Sequence, residues 1–256
     1  MDTIQFKDEN LKNAILFEMK WMDLIDEAAD EITENNALKV TELGLSNNHI
    51  TSIEGIAKFK NLTKLYLAHN QVSDLTPLAG LSKLEKLALN HNNISDIADL
   101  TNLTNLERLY LEHNPIADIR PLSNLTNLET LALNHNNISD LTPLARLTEL
   151  ETLWLHNNQI SDIGGIAGLT KLRTLNLEHN YVSNFKPLTS LTNLKLLFLD
   201  DDQIAAILQA TKTEEEFLEV ISKLEYVKQK HAREVLERIA LENTHRPGNQ
   251  PPTHER

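Results

Sequence analysis

The residues that first suggest chemistry are four histidines at one fixed spacing. His69, His91, His113 and His135 stand 22 positions apart, and two of them lie inside an identical stretch, LALNHNNISD, at 87–96 and 131–140. A row of imidazoles is the raw material of a zinc site or a proton sensor. Zinc needs ligands that converge on one point, at about 2.0–2.1 Å each. A straight column offers adjacent pairs rather than convergence, and no carboxylate enters it before Asp201. The spacing predicts surface histidines and no metal site, with pH-sensitive binding and a metal site as the alternatives.

Other marks of catalysis are missing. The chain contains no HExxH, GxSxG or GxxxxGK(S/T) pattern, so the usual zinc-hydrolase, serine-nucleophile and phosphate-loop arrangements have no residues to build on. It contains no cysteine, which excludes disulfides, thiolate nucleophiles and thiolate metal sites. Asp74, Asp96, Asp118, Asp140 and Asp162 recur once per period, which marks a frame role rather than a catalytic pair. Gly164 and Gly165 stand where other repeats carry Thr-Pro, a turn variant rather than a phosphate cradle. The expectation is a protein that is not an enzyme and has no cofactor.

The elements that position these residues follow from the period. Asn48, Asn70, Asn92, Asn114, Asn136, Asn158 and Asn180 are each 22 residues apart, and Asp202 continues the series. Taking Leu62 as position 1, aliphatic residues fall at positions 1, 4, 6, 11, 14, 17 and 20. This is the LxxLxLxxNxL pattern of a leucine-rich repeat. Positions 4 and 6 alternate with positions expected to be exposed, so they form a short strand with one buried face. The asparagine follows the strand, where its amide can satisfy backbone groups that no ladder reaches. Pro77, Pro121, Pro143 and Pro187 mark a tight turn in the second half of the coil. The predicted fold is α/β: a curved solenoid with a parallel sheet on its concave face, short convex turns and helical caps at both ends.

At this level of detail the sequence resembles a known family. LYLAHNQVSDLTPLAGL at 65–81 and LYLEHNPIADIRPLSNL at 109–125 are similar to the 22-residue repeats of internalin-type bacterial leucine-rich proteins. NLKNAILFEM at 10–19 and EITENNALKVTELGLSNNHITSIEGI at 31–56 resemble that family's helical cap running into its first repeat. The resemblance covers roughly residues 5–205 and implies a solenoid that binds a protein by its concave face. The leucine-rich regulatory subunits of protein phosphatases share the 22-residue class; the cap and the turn favour the bacterial type.

The predicted organisation is a helical N-terminal cap at 1–40, repeats at 41–202 (seven full and one degenerate), a helical C-terminal cap at 203–243 and a disordered tail at 244–256. The front cap is expected to hold helix within about 10–28, in two short pieces, with Asp8 as a helix start. At the back, a short helix is expected at about 202–210 and a long one at 214–243, whose distal half offers a surface for self-association. The net charge is −13 and sits mostly on the two ends, which argues against a nucleic-acid partner. No apolar run reaches the length of a membrane span, and the N-terminal stretch lacks the order of a secretory signal. The sequence as written is expected in the cytoplasm, with a secreted or effector-like protein as the alternative.

Function is expected at positions the frame leaves free. Position 5 carries Tyr66, Ala88, Tyr110, Ala132, Trp154, Asn176 and Phe198. With strands about 4.8 Å apart, rings on alternate coils should stand about 10 Å apart with low ground between them. Exposed aromatics of this kind are typical anchors for a partner. Position 3 carries Lys64, Lys86 and Arg108 beside the position-2 row Glu85, Glu107, Glu129 and Glu151. The two rows either neutralise each other or leave cations to meet an acidic feature. The predicted contact set is Tyr66, Tyr110, Trp154 and Phe198, with Lys64, Lys86, Arg108, His91, His113 and His135 around them. The leading function is recognition of a partner protein; a glycan binder using spaced rings and a scaffold without natural ligand are the alternatives.

Overall fold

The computed structural model describes residues 2–210, with the backbone alone over 207–210. The helix expected at 214–243, its self-association surface and the tail from 244 lie outside the described residues. The strands are β1 (Glu42–Gly44), β2 (Lys64–Tyr66), β3 (Lys86–Ala88), β4 (Arg108–Tyr110), β5 (Thr130–Ala132), β6 (Thr152–Trp154), β7 (Thr174–Asn176) and β8 (Leu196–Phe198). They form one parallel sheet in chain order, and each strand pairs in register with the equivalent residues of the next coil. The 22-residue period dictates this, because equal coils place equal positions side by side.

The core is the leucine ladder. Leu65, Leu67, Leu87, Leu89, Leu109, Leu111, Leu131 and Leu133 have no exposed surface. Sealing each coil is the asparagine at position 9. The Asn114 amide oxygen accepts from Ile94 N–H of the preceding coil at 3.0 Å, while its nitrogen donates to the carbonyls of Leu89 at 3.0 Å and Leu111 at 3.1 Å. Asn70, Asn92, Asn136, Asn158 and Asn180 repeat the arrangement. One side chain thus satisfies three buried backbone groups on two coils.

Opposite the sheet, each coil turns through a short 3₁₀ helix, such as Thr76–Leu78 or Arg120–Asn124. The once-per-coil carboxylates start these turns. Asp74, Asp96, Asp118, Asp140 and Asp162 each accept from the backbone N–H two residues on, a local bond that short polar side chains favour at turns. Gly164 and Gly165 lie in such a turn, Gly164–Ile166. A Cβ on Gly165 would come within 2.2 Å of the Leu141 carbonyl oxygen, so the glycine allows a close approach between coils.

Both ends are closed by side-chain hydrogen bonds. At the front, α1 (Glu9–Trp21) is capped by Asp8, whose Oδ1 accepts from the N–H groups of Asn10 and Leu11. Its Oδ2 accepts from the Thr51 N–H and hydroxyl, both at 2.7 Å, and from Ser52 N–H at 3.2 Å. One carboxylate therefore caps the helix and ties it to the first coil. Burial alone would raise its pKa, but the bonds from Thr51, Leu11 and Ser52 together outweigh this and hold it below the ordinary carboxylate value. The second helical piece differs from expectation. The chain leaves α1 through Asp23 at φ 55°, so Leu24 and Ile25 pack on the core from a loop, and α2 (Glu34–Ala37) comes later.

At the back, α3 (Asp201–Ala210) follows β8 directly. Asp202 takes the asparagine position there, but the neighbouring Gln203 supplies the amide. Its Nε2 donates to the Leu177 carbonyl at 2.8 Å, the equivalent of the bond an asparagine makes to the preceding coil. Asp200 and Gln203 also exchange hydrogen bonds, Asp200 N–H to the Gln203 amide oxygen and Gln203 N–H to the Asp200 carboxylate.

Candidate functional site

The site candidates lie on the sheet face, because positions 3, 5 and 7 of each coil point away from the leucines. Tyr66, Tyr110, Trp154 and Phe198 are half-buried, and the residues between them, Ala88, Ala132 and Asn176, are buried. The expected row of separate rings with open ground between them needs correction in two places. Lys86 reaches over Ala88, with its ammonium 5.0 Å from the Tyr66 ring centre and 5.7 Å from that of Tyr110. Trp154 and Phe198 lean towards each other across Asn176, to 5.6 Å between ring centres at a tilt of 32°. Both shifts have the same cause: a ring quadrupole is better satisfied by a cation or another ring than by water. No ring contact joins Tyr110 to Trp154 among the described residues, so Ala132 separates a tyrosine–lysine end from an apolar end.

The two charged rows form no ion pair with each other among the described residues; the pairs present lie within a column. Lys64 pairs with Glu42 at 3.1 Å and Arg173 with Glu151 at 3.7 Å. Lys86 and Arg108 make no ion pair among the described residues, and they are register partners on adjacent strands.

The histidine column has a backbone explanation that the sequence reading missed. His69, His91, His113, His135 and His179, with Asn47 and Asn157, all have φ of 55–61°. That left-handed region is costly for most side chains and is enriched in asparagine, aspartate and histidine. The alternation of histidine and asparagine at position 8 was the available signal. The rings of His69, His91, His113 and His135 stack face to face, 4.0–4.1 Å apart and within 13° of parallel. Parallel rings have parallel lone pairs, and no group of three or more metal-ligating side chains converges among the described residues. Burial lowers the pKa of His91 and His113, and the neighbouring imidazoles lower it further.

Position 7 contains two groups that the sequence reading did not single out. Glu112 Oε2 and His156 Nδ1 are buried without a hydrogen-bond partner among the described residues. Burial pushes the Glu112 carboxyl up and the His156 imidazole down. His156 stands edge-on to both His135 and Trp154, at 5.2 Å and 6.2 Å between ring centres, and so links the histidine stack to the apolar ring pair. Their signal was a charged or aromatic residue in a column otherwise held by serine, alanine and asparagine through its first half.

Comparison with known proteins agrees with this architecture. A family described as Leucine Rich repeats (2 copies) matches residues 39–80, 82–124, 104–146, 126–169 and 148–190. A search of the curated proteins found no match. Among solved structures, an internalin (inlF) from Listeria monocytogenes is 36% identical at a TM-score of 0.72, covering 76% of this chain and 56% of that one. Internalin C2 from the same organism is 35% identical at a TM-score of 0.62, covering 76% of this chain and 94% of its own. A leucine-rich repeat protein of Leptospira interrogans is 26% identical at a TM-score of 0.59, covering 66% of this chain and 51% of its own. The chain thus spans little more than half the length of inlF and almost all of internalin C2. Among the described residues no helix is long and apolar enough to cross a membrane. The shared period, the parallel sheet and the helical segment before it place the chain in the internalin-type family of bacterial leucine-rich repeat proteins.

Proposed function

We propose that the chain binds a partner protein through its sheet face and performs no catalysis. The observation that carries this reading is the half-exposed ring column, Tyr66, Tyr110, Trp154 and Phe198, set on strands whose inward leucines are buried. The frame is already closed without these rings, so the exposed faces of Tyr66, Tyr110 and Trp154 can serve a second molecule. Tyrosine and tryptophan with partly buried bases carry much of the energy at protein interfaces. Lys64, Lys86 and Arg108 flank one end of the column, and His91, His113 and His135 border it on the side of position 8.

A glycan comb is the weaker reading. It relied on free ring faces at regular intervals, and Lys86 and the Trp154–Phe198 contact occupy two of the gaps. The test is an alanine scan of the four rings against proteins captured on the immobilised chain, alongside a glycan array. Trp154→Ala or Tyr110→Ala should weaken partner binding by about 2 kcal/mol or more, with the array blank. Unchanged affinity in both variants puts the binding face elsewhere.

A further inference from the structure

The tyrosine–lysine end of the face carries information about the partner itself. We propose that Lys86 and Arg108 form a seat for the carboxylates of an acidic protein segment, an assignment that rests on the sheet face being the binding face.

The first ground is pairing. In the position-3 column Lys64 has a carboxylate partner in Glu42. Lys86 and Arg108 have none among the described residues, although Glu85 and Glu107 immediately precede them in the chain. This adjacent pair of cations therefore has no internal carboxylate to neutralise it among the described residues. The second ground is register. Lys86 and Arg108 face each other across parallel strands β3 and β4, about 4.8 Å apart. That spacing lets two cations share one carboxylate, or hold two from neighbouring acidic residues.

The third ground is preorganisation. The Lys86 ammonium already sits between the Tyr66 and Tyr110 rings, so less side-chain freedom is lost when an acid docks. Ala88 beneath it leaves the room. Tyrosine hydroxyls can also donate to the same carboxylate, which phenylalanine in those places could not do. The positive strip then stops: position 3 continues as Thr130, Thr152 and Thr174. A partner would place its acidic part over β3 and β4 and its apolar part against Trp154 and Phe198, roughly 15 Å away at the strand spacing.

The overall negative charge repels polyanions in general, which makes a local cation seat straightforward to test. The full chain is titrated at low salt with a tetraglutamate peptide capped at both ends, followed by NMR. Expected are saturable shifts centred on Lys86, Arg108, Tyr66 and Tyr110, which weaken as salt is added. Lys86→Gln/Arg108→Gln should lose binding by about tenfold or more, and Trp154→Ala should keep it. Both glutamine replacements are at the surface, and an unchanged circular dichroism spectrum confirms that the fold is intact. No saturable binding to the wild type overturns the assignment, and so does binding that survives the double replacement. Inorganic pyrophosphate binding at these residues in place of tetraglutamate also overturns it, because phosphate is then the group recognised. If tetraglutamate fails while captured proteins are still lost on Tyr110→Ala/Trp154→Ala, the binding face stands and only the acidic partner falls.

Discussion

Positions 8 and 9 of each coil are neighbours in the chain and obey different rules. The position-9 asparagines Asn70, Asn92, Asn114, Asn136 and Asn158 are buried, and each amide bonds backbone groups of two coils. Four of the histidines at position 8, His69, His91, His113 and His135, stack on one another, and all five share a column with Asn47 and Asn157. What the column has in common is a left-handed backbone. The first column is fixed by what its side chains bond, and the second by the φ angle its residues must accept. Only the first is indispensable to the fold.

Substitutions can break or sharpen this contrast, and the largest effect is expected inside the frame. Asn114→Ala leaves Ile94 N–H and the carbonyls of Leu89 and Leu111 without their partner. With each buried unsatisfied group costing about 1–3 kcal/mol, denaturant unfolding should show a loss of roughly 3–5 kcal/mol. Asp8→Ala comes next. It removes the α1 cap and the bonds to Thr51 and Ser52, and should cost about 3 kcal/mol. The folded pKa of Asp8 lies below its ordinary value of 3.8. Its contribution is therefore fully present above that pH and is lost as the pH falls through the folded value, a loss the alanine variant should not show.

Smaller effects are expected at position 8. His113→Asn should change stability by less than about 0.5 kcal/mol, because asparagine accepts the same backbone. His113→Val should cost about 1–2 kcal/mol for the strained backbone alone. If His113→Asn proves as damaging as Asn114→Ala, the distinction between the columns fails. The stack should also respond to pH. The folded pKa values of His91 and His113 lie below the ordinary 6.5, so the unfolded chain takes up protons first as the pH drops. Stability should be unaffected above that value and should decline as the pH falls from it towards the folded values. Replacing both residues by asparagine should flatten the decline in a series of thermal melts.

The smallest stability effect, and the one of opposite sign, is expected at Glu112. Burial raises its folded pKa above the ordinary 4.5, so the folded state carries a penalty at neutral pH that disappears in acid, where the group is protonated. Glu112→Gln should raise the melting temperature at pH 7 and not at pH 4. A fall at pH 7 would mean that the carboxylate is better satisfied than its surroundings indicate.

Legibility in the sequence followed the same division. The leucines, the asparagines and the repeating aspartates recur because backbone geometry demands them, and recurrence is visible in one sequence. Even the failure of the series at Asp202 was visible, although its remedy, Gln203 bonding Leu177, depends on how the chain enters α3. Side-chain direction on the open face was less accessible. That Lys86 reaches over Ala88 and that Trp154 leans onto Phe198 depend on rotamers, which a spacing of residues does not specify. Glu112 and His156 were missed because position 7 changes from coil to coil (Ser46, Ala68, Asn90, Glu112, Asn134, His156), so no period pointed to them. The histidines attracted attention as ligands because imidazole chemistry is familiar, whereas the left-handed backbone beneath them becomes visible only when asparagine is recognised as their equivalent.

The measurement that tests the account most directly compares proteins captured by three forms of the chain at equal loading, quantified by mass spectrometry. These are the wild type, the sheet-face variant Tyr110→Ala/Trp154→Ala, and Arg120→Ala, which alters an exposed side chain on the turn side of the coil. Binding through the ring column predicts that the wild type and Arg120→Ala enrich the same proteins and that the sheet-face variant, still folded, loses them. A folded Tyr110→Ala/Trp154→Ala variant that retains the same set would contradict it.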